Sequence, residues 1–166
     1  MYYEEIFLKL NEKKVKYVVV GGVALVLHGV IRMTVDLDLM IKMEEDNVAR
    51  FISAMEELGY KPKVPVPAED FKNPAKRRQW RDEKGMEVLS FFHPEKPLRL
   101  VDVFVEEPID YTEIDAAKKV VKAKGIDIPL VSIRHLKQLK SKSGREQDLA
   151  DIEALEEIER IERESG

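Results

Sequence analysis

The chain has 166 residues, 44% of them hydrophobic and 36% charged, with a formal net charge of -4 and no cysteine. This length suits one domain with a real apolar core, and the modest charge argues against a protein that coats DNA or a membrane surface. Disulfides and thiolate chemistry are excluded, and no apolar run approaches the ~18 residues of a membrane span. We therefore expect a cytoplasmic protein.

Helices and strands are predicted to alternate in the first third of the chain. An amphipathic helix over residues 2–14 precedes a strand over 16–20. The strand ends at Gly21-Gly22, and a buried helix follows, closed by Gly29 as its C-terminal cap. This order of strand, tight turn and helix is the first indication of an α/β fold.

A second strand and a third helix follow. Polar and apolar residues alternate from Ile31 to Ile41, which predicts a strand with Arg32, Thr34, Asp36 and Asp38 on one side. The next helix is predicted to begin with Asp46 as its N-cap and to end at Gly59.

The rest of the chain mixes strands and helices. Three prolines between residues 62 and 67 predict a loop that leads into a basic, aromatic stretch. Strands are expected over 86–92 and 98–105, and another strand pair turns at Gly125. Ser132 is the expected N-cap of a helix, and Gly144 separates that helix from a final acidic helix from about Glu146 to Arg163.

Three aspartates in predicted strands need a physical explanation. Aspartate is rare in strands, and like charges at Asp36 and Asp38 would repel each other. Asp102 is the lone acid in an apolar strand, where burying an unpaired charge is costly. Neighbouring strands that bring the three together would make an oxygen-rich site for hard divalent cations such as magnesium.

The spacing of these motifs resembles that of a known superfamily. Gly21-Gly22, followed after thirteen residues by Asp-Leu-Asp, is similar to the pattern of the polymerase-β-like nucleotidyltransferases. The stretch from Gly21 to Leu39, with its R-x-T-x-D-h-D (h, apolar), resembles the small branch related to AbiEii toxins and to aminoglycoside nucleotidyltransferases. The later segment L-K-S-K-S-G-R-E-Q-D-L-A-D-I-E-A-L is similar to the motif that closes those domains. The matches extend from about residue 17 to 155.

The resemblance implies a magnesium-dependent enzyme that moves a nucleoside monophosphate from an NTP, such as ATP, to a hydroxyl acceptor and releases pyrophosphate. Asp36 and Asp38 would ligate two Mg²⁺ ions, or Mn²⁺, and Asp102 would be the third carboxylate and the base. Gly21 and Gly22 would hold the triphosphate. Relatives with Gly-Ser use that serine on a phosphate, so Gly22 implies that this contact comes from the backbone alone.

The resemblance also implies further nucleotide-binding residues, each with a structural alternative. Arg32, on the acids' side with Thr34, either contacts phosphate or holds Asp36 or Asp38 in an ion pair. Lys140 and Arg145 would neutralise phosphate charge, with Asp148 orienting one of them, or the three make ordinary ion pairs at helix ends. The run of Lys76, Arg77, Arg78, Trp80 and Arg81 is either a nucleic-acid groove or a solvated helix face.

We therefore predict an α/β nucleotidyltransferase fold with a short mixed, twisted sheet flanked by helices. One domain is expected to cover residues 1–166, with a core at about 15–131 and a C-terminal helical segment at about 132–166. The acceptor is an RNA end, a protein or a small molecule, and the last helix offers a homodimer contact. The rival hypothesis is a catalytically silent binding module that retains the fold, such as a toxin–antitoxin partner or a scaffold.

Overall fold

A seven-stranded mixed sheet carries helices on both sides in the computed structural model, which describes residues 3–165. The helices are α1 (Glu4–Glu12), α2 (Gly21–His28), α3 (Glu45–Glu57), α4 (Pro74–Lys84), α5 (Tyr111–Ala117), α6 (Ile133–Ser143) and α7 (Glu146–Ser165). The strands are β1 (Tyr17–Val20), β2 (Leu37–Ile41), β3 (Lys61–Pro62), β4 (Val88–His93), β5 (Lys96–Phe104), β6 (Lys119–Ala123) and β7 (Ile126–Leu130). The predicted α/β architecture with a short mixed sheet is confirmed. Tyr2, which the first predicted helix included, lies outside the described residues.

The order of the strands is β3-β4-β5-β2-β1-β7-β6. The central strand β2 runs antiparallel to β1 and parallel to β5. The β2–β5 register pairs Leu37 with Val101 and Asp38 with Asp102. Two of the three aspartates are therefore direct neighbours across the strand pair.

The alternation of side chains along β4 separates the two faces of the sheet. Phe91 packs edge-to-face against Phe51 of α3, with ring centroids 5.6 Å apart. Its neighbour Ser90 points the other way and donates a hydrogen bond to Asp102. The first face is thus part of the core, whereas the aspartates lie on the face where α2, α6 and α7 contact one another.

The predicted strand from Ile31 to Ile41 is wrong for its first half. The structure begins β2 at Leu37, and residues 31–36 form no regular element. The physical reason is the partner strand: β1 ends at Val20, which pairs with Asp38, and the chain then turns into α2. Residues 31–36 therefore have no partner on the β1 side, their pairing with β5 also starts only at Leu37, and Met33 is 92% exposed.

Helix ends were predicted with mixed success. Gly29 adopts the left-handed conformation at the end of α2, and the Ser132 hydroxyl accepts the His135 amide at the start of α6, as predicted. Asp46, however, is not an N-cap, because α3 begins at Glu45 after Glu44. Asp46 instead lies in the first helical turn, where the helix dipole favours a negative charge.

Three elements were not predicted at all: the proline-rich loop contains the edge strand β3 and a 3-10 helix over Ala68–Lys72, and α5 follows β5. The basic stretch forms α4, in agreement with the helix-face alternative. Within residues 3–165, no helix is both long and apolar enough to cross a membrane.

Candidate active site

Asp38 and Asp102 face each other from β2 and β5, and Asp36 lies just before β2. Burial, together with the negative charges of Asp102 and Asp36, raises the pKa of Asp38 to about 7. The pKa of Asp102 is also raised, by burial and by Asp36, although a 2.6 Å hydrogen bond from the Ser90 hydroxyl opposes this. The three aspartates thus form one electrostatically coupled group, here called the aspartate cluster.

The two glycines at the start of α2 lie against this cluster. Gly21 has a φ of +68°, and a Cβ atom there would lie 2.0 Å from Asp38 Oδ2. The Gly22 amide donates a hydrogen bond to the Asp38 carboxylate. A side chain at position 21 would therefore both strain the backbone and displace Asp38.

The loop before β2 packs against the same turn. A Cβ atom at Gly22 would lie 2.5 Å from Thr34 Oγ1, so the glycine is required by the position of Thr34. The Thr34 hydroxyl makes one weak hydrogen bond, 3.4 Å, to the Asp36 carbonyl. Arg32 Nη1 lies 2.5 Å from Asp151 Oδ2. The alternative in which Arg32 forms an ion pair with Asp36 or Asp38 is therefore wrong.

The predicted downstream residues do come together, at the junction of α6 and α7. Arg145 Nε lies 3.0 Å from Asp148 Oδ2, and Lys140 Nζ lies 3.4 Å from Asp148 Oδ1. Although burial favours its neutral form, Arg145 and Lys140 hold the pKa of Asp148 well below its usual range. The positive charge of Lys140 also favours the ionised form of Asp38, which connects this junction to the aspartate cluster.

A cleft of about 740 Å³ extends from the aspartate cluster between the sheet and α6. Gly21, Asp38, Asp102 and Lys140 lie at one part of its wall, together with Arg145 and Asp148. The remaining wall combines apolar side chains with charged ones of both signs, among them Met86, Val88, Phe104, Leu136, Leu139, Glu87, Glu106, Arg81 and Lys142. The cleft can therefore offer charged groups to a phosphate chain and an apolar wall to a ring.

The carboxylates suit a hard cation by chemistry but do not enclose one position. Among residues 3–165, no group of three or more His, Cys, Asp or Glu side chains is arranged to hold a metal ion. The oxygen donors of Asp36, Asp38 and Asp102 are nevertheless the ligands that magnesium prefers. Burial is the largest cause of the raised pKa of Asp38, and repulsion from Asp102 and Asp36, which a cation would relieve, adds to it.

The basic run does not present its aromatic ring in a groove, although Arg77, Arg78 and Arg81 line a pocket of about 280 Å³. Trp80 and Arg77 face inward from α4, 3% and 8% exposed, and Arg77 donates a hydrogen bond to the Phe71 carbonyl. Arg81 pairs with Asp82 and Glu106, which leaves Lys76 and Arg78 exposed on the helix. This arrangement corresponds to the solvated-face alternative, with the aromatic ring in the core.

Two residues beside the predicted site were missed. Ser90 reaches Asp102 across the β4–β5 pair, and Asp151 accepts both Arg32 and Lys140. Ser90 carries no sequence signal, since strand register alone brings it to Asp102. Asp151 did carry a sequence signal, because it follows Asp148 at a helical spacing of three.

Comparison with known proteins places this architecture among the nucleotidyltransferases. The lincosamide antibiotic adenylyltransferase LnuA, solved with lincomycin, aligns with a TM-score of 0.60 and 20% identity over 93% of this chain and 96% of its own. A candidate nucleotidyltransferase from Thermotoga maritima aligns with a TM-score of 0.58 and 19% identity, over 97% and 90%. ANT(2")-Ia in complex with adenylyl-2"-tobramycin aligns with a TM-score of 0.58 and 13% identity, over 95% of this chain and 91% of its own. At these identities the likeness is one of fold.

The sequence assigns the chain to a family. Residues 3–165 match the profile of the DUF6036 family, described as nucleotidyltransferases of unknown function. The chain belongs to this family. No curated protein gives a significant match.

Proposed function

We propose that this protein transfers a nucleoside monophosphate from an NTP to a hydroxyl acceptor in a magnesium-dependent reaction that releases pyrophosphate. The observation that carries the proposal is the pairing of Asp38 with Asp102 directly beside the N-terminus of α2. Exposed amides at a helix N-terminus favour a phosphate, and paired carboxylates need cations. A metal-bound triphosphate would satisfy both, because its phosphates suit the N-terminus of α2 and its cations suit the carboxylates.

Each predicted site residue has a role in this proposal. Asp36 and Asp38 hold the metal, and Asp102 completes the carboxylate set and accepts the proton of the attacking hydroxyl, with Ser90 fixing its orientation. The Gly21 amide, the Thr34 hydroxyl and the cations Lys140 and Arg145 bind the triphosphate, while the Gly22 amide, which donates to Asp38, holds that carboxylate beside it. When bound, divalent cations would supply charge neutralisation at the reacting phosphate. Arg32 acts through its ion pair with Asp151 rather than on phosphate.

We also infer that the chain belongs to the AbiEii-toxin-like branch. The support is the R-x-T-x-D-h-D stretch and the later K, G-R-x-x-D residues: Asp38 of the first lines the same cleft as Lys140, Arg145 and Asp148 of the second. We propose one domain over residues 1–166, in which residues of about 132–166 close the nucleotide cleft. A toxin role within a toxin–antitoxin pair follows from the branch.

For the acceptor, the cleft favours a small molecule over an RNA end. LnuA and ANT(2")-Ia were solved with an antibiotic and an adenylylated antibiotic. Here the cleft is about 740 Å³, and the basic run offers no aromatic platform, because Trp80 is buried. Labelled NTPs incubated with RNA, protein and small-molecule fractions decide the matter. Label in RNA alone would overturn this preference.

Metal-dependent nucleotide binding is the direct test of the proposal. Mg²⁺ with NTP at 100 times Kd should stabilise the wild type by about 2.7 kcal/mol, which raises Tm by roughly 5 to 10 °C. Asp36→Ala/Asp38→Ala should lose this rise. A matched control, Glu153→Ala/Glu156→Ala, removes two exposed carboxylates from α7 and should keep it.

The silent binding module is the second candidate, and one observation favours it. The three aspartates are coupled but, among the described residues, do not converge as a ligand set. If Mg²⁺ and NTP leave Tm unchanged, or raise it equally in Asp36→Ala/Asp38→Ala, the enzyme proposal fails. If the wild type binds the nucleotide but releases no pyrophosphate with any acceptor fraction, the fold serves binding alone.

A further inference from the structure

Two buried carboxylates project from α7 beside the cleft. Asp148 and Asp151 are three residues apart on one side of the helix, 1% and 3% exposed. Buried carboxylates are costly unless cations and hydrogen bonds surround them. Asp148 is surrounded locally, by Arg145 and Lys140. The partners of Asp151 come from much farther away in the chain.

Asp151 connects the segment before β2 to the cleft-lining residue Lys140 of α6. Its Oδ2 atom lies 2.5 Å from Arg32 Nη1 and 3.1 Å from Lys140 Nζ. Arg32 belongs to the segment that leads to Asp36, whereas Lys140 belongs to α6. Gln147 donates to the other oxygen, Oδ1, at 3.0 Å, so that both oxygens are occupied.

The contacts of Lys140 leave it able to bind a ligand. Its side chain is 11% exposed and lines the cleft. An ammonium group has three N–H donors on a flexible stem. Asp148 and Asp151 engage two of them, at 3.4 and 3.1 Å, which leaves one for a group in the cleft. The carboxylates therefore decide where this donor points.

We infer that Asp151 is a positioning residue for nucleotide transfer, which holds the Lys140 ammonium and the Arg32 segment in a fixed relation beside Asp38. The inference rests on the proposed function. A purely structural role, in which Asp151 only anchors α7, is the competing explanation. The two differ in whether nucleotide binding changes when stability is accounted for.

Asp151→Asn is the informative variant, because it keeps the shape and an acceptor oxygen but removes the charge. We expect the Kd of a non-hydrolysable NTP analogue with Mg²⁺ to rise about 10-fold and kcat/KM to fall about 10- to 100-fold, as for other residues that orient a ligand-binding group. Asp151→Glu restores the charge and should recover part of the loss. It also serves as the readout if Asp151→Asn does not fold.

Two controls separate positioning from packing. Glu159→Gln breaks the 2.6 Å Lys137–Glu159 ion pair, which joins the same two helices away from the cleft, and should leave Kd unchanged. Leu155→Ala removes a fully buried side chain of α7 and should lower Tm without changing Kd at temperatures well below Tm.

The double variant Lys140→Met/Asp151→Asn tests whether Asp151 acts through Lys140. If Asp151 acts through Lys140, its Kd equals that of Lys140→Met alone. Additive losses, or an Asp151→Asn variant with a lower Tm and unchanged Kd and kcat/KM, would overturn the inference and leave the proposed function intact. A wild type that neither binds nor turns over NTP overturns the proposed function, and this inference with it.

Discussion

The close approach of Gly22 and Thr34 allows a residue interchange with a calculable outcome. A Cβ atom at position 22 would lie 2.5 Å from Thr34 Oγ1 and 3.0 Å from Thr34 Cβ. Rotation of Thr34 can move its hydroxyl but not its Cβ, so the loop before β2 must shift. Gly22→Ser should therefore destabilise the fold by about 2 kcal/mol, within the usual range for overpacking.

Removal of the threonine should relieve most of this cost. Thr34→Ala alone loses one weak 3.4 Å hydrogen bond and should cost less than about 1 kcal/mol. In Gly22→Ser/Thr34→Ala the side chain atoms beyond Cβ are gone, and the loss should fall short of the sum by about 1 kcal/mol or more. Urea unfolding of the four proteins measures the coupling. A Gly22→Ser variant as stable as the wild type, or strictly additive losses, would refute the reasoning.

The same variants test whether the two positions share a phosphate contact. Relatives with Gly-Ser imply a serine hydroxyl on phosphate, and here the Thr34 hydroxyl stands against the place where that side chain would begin. Thr34→Ala should weaken NTP binding about tenfold, as expected for one hydrogen bond to a charged group. Gly22→Ser/Thr34→Ala should recover affinity. Gly22→Ala/Thr34→Ala, which lacks only the hydroxyl, should not.

Three further predictions concern the charged groups. Because the pKa of Asp38 is raised to about 7, its contribution to stability is present below its unfolded pKa and is lost as pH rises toward 7. Without metal, Asp38→Asn should therefore raise Tm more at pH 8 than at pH 5. The gain in the free energy of unfolding should be at most about 4 kcal/mol. The lowered pKa of Asp148 has the opposite effect, since its contribution is present above the unfolded pKa and lost in acid; urea unfolding should find Asp148→Asn weaker by about 3 kcal/mol at pH 7 and by less at pH 3. Ser90→Ala removes the hydrogen bond that lowers the pKa of Asp102, so the acid limb of the kcat/KM profile should move to higher pH; an unmoved limb would exclude Asp102 as the base.

The elements near the site were readable from the sequence where local rules decide the structure. Gly21-Gly22 and the apolar run after it predict a turn and a buried helix, and both are present. The aspartates could be paired because strands of an α/β sheet meet side by side, and Asp38 and Asp102 do so. The extent of β2 could not be read, because the length of its partner strand decides where pairing stops.

Long-range partners were the other failure. The alternation around Arg32 predicted a strand that does not form there, and the carboxylate partner of Arg32 lies 119 residues away, on α7. Only the packing of α7 against α2 and α6 decides that contact. In the same way, Trp80 belongs to a basic run by sequence but to the core by helix periodicity, since it lies three residues after the inward-facing Arg77.

The charges of the cleft lead to a last prediction about the order of binding. Well above pH 7 Asp38 is ionised, and α7 adds two buried carboxylates. Arg32, Lys140 and Arg145 pair with the carboxylates of α7, and the positive charge of Lys63 acts on Asp102. Asp148 and Asp151 offset two of the three positive charges of their partners, so the aspartate cluster keeps a net negative charge beside the cleft.

A triphosphate alone would add negative charge to this surface, whereas divalent cations neutralise both partners. NTP in the presence of a chelator should therefore leave Tm unchanged, Mg²⁺ alone should raise it slightly, and the two together should raise it by more than the sum. Asp38→Asn/Asp102→Asn should bind NTP without metal more tightly than the wild type does. Equal stabilisation of the wild type by NTP with and without metal would contradict this electrostatic argument, because the uncompensated carboxylates would then have no effect on the nucleotide.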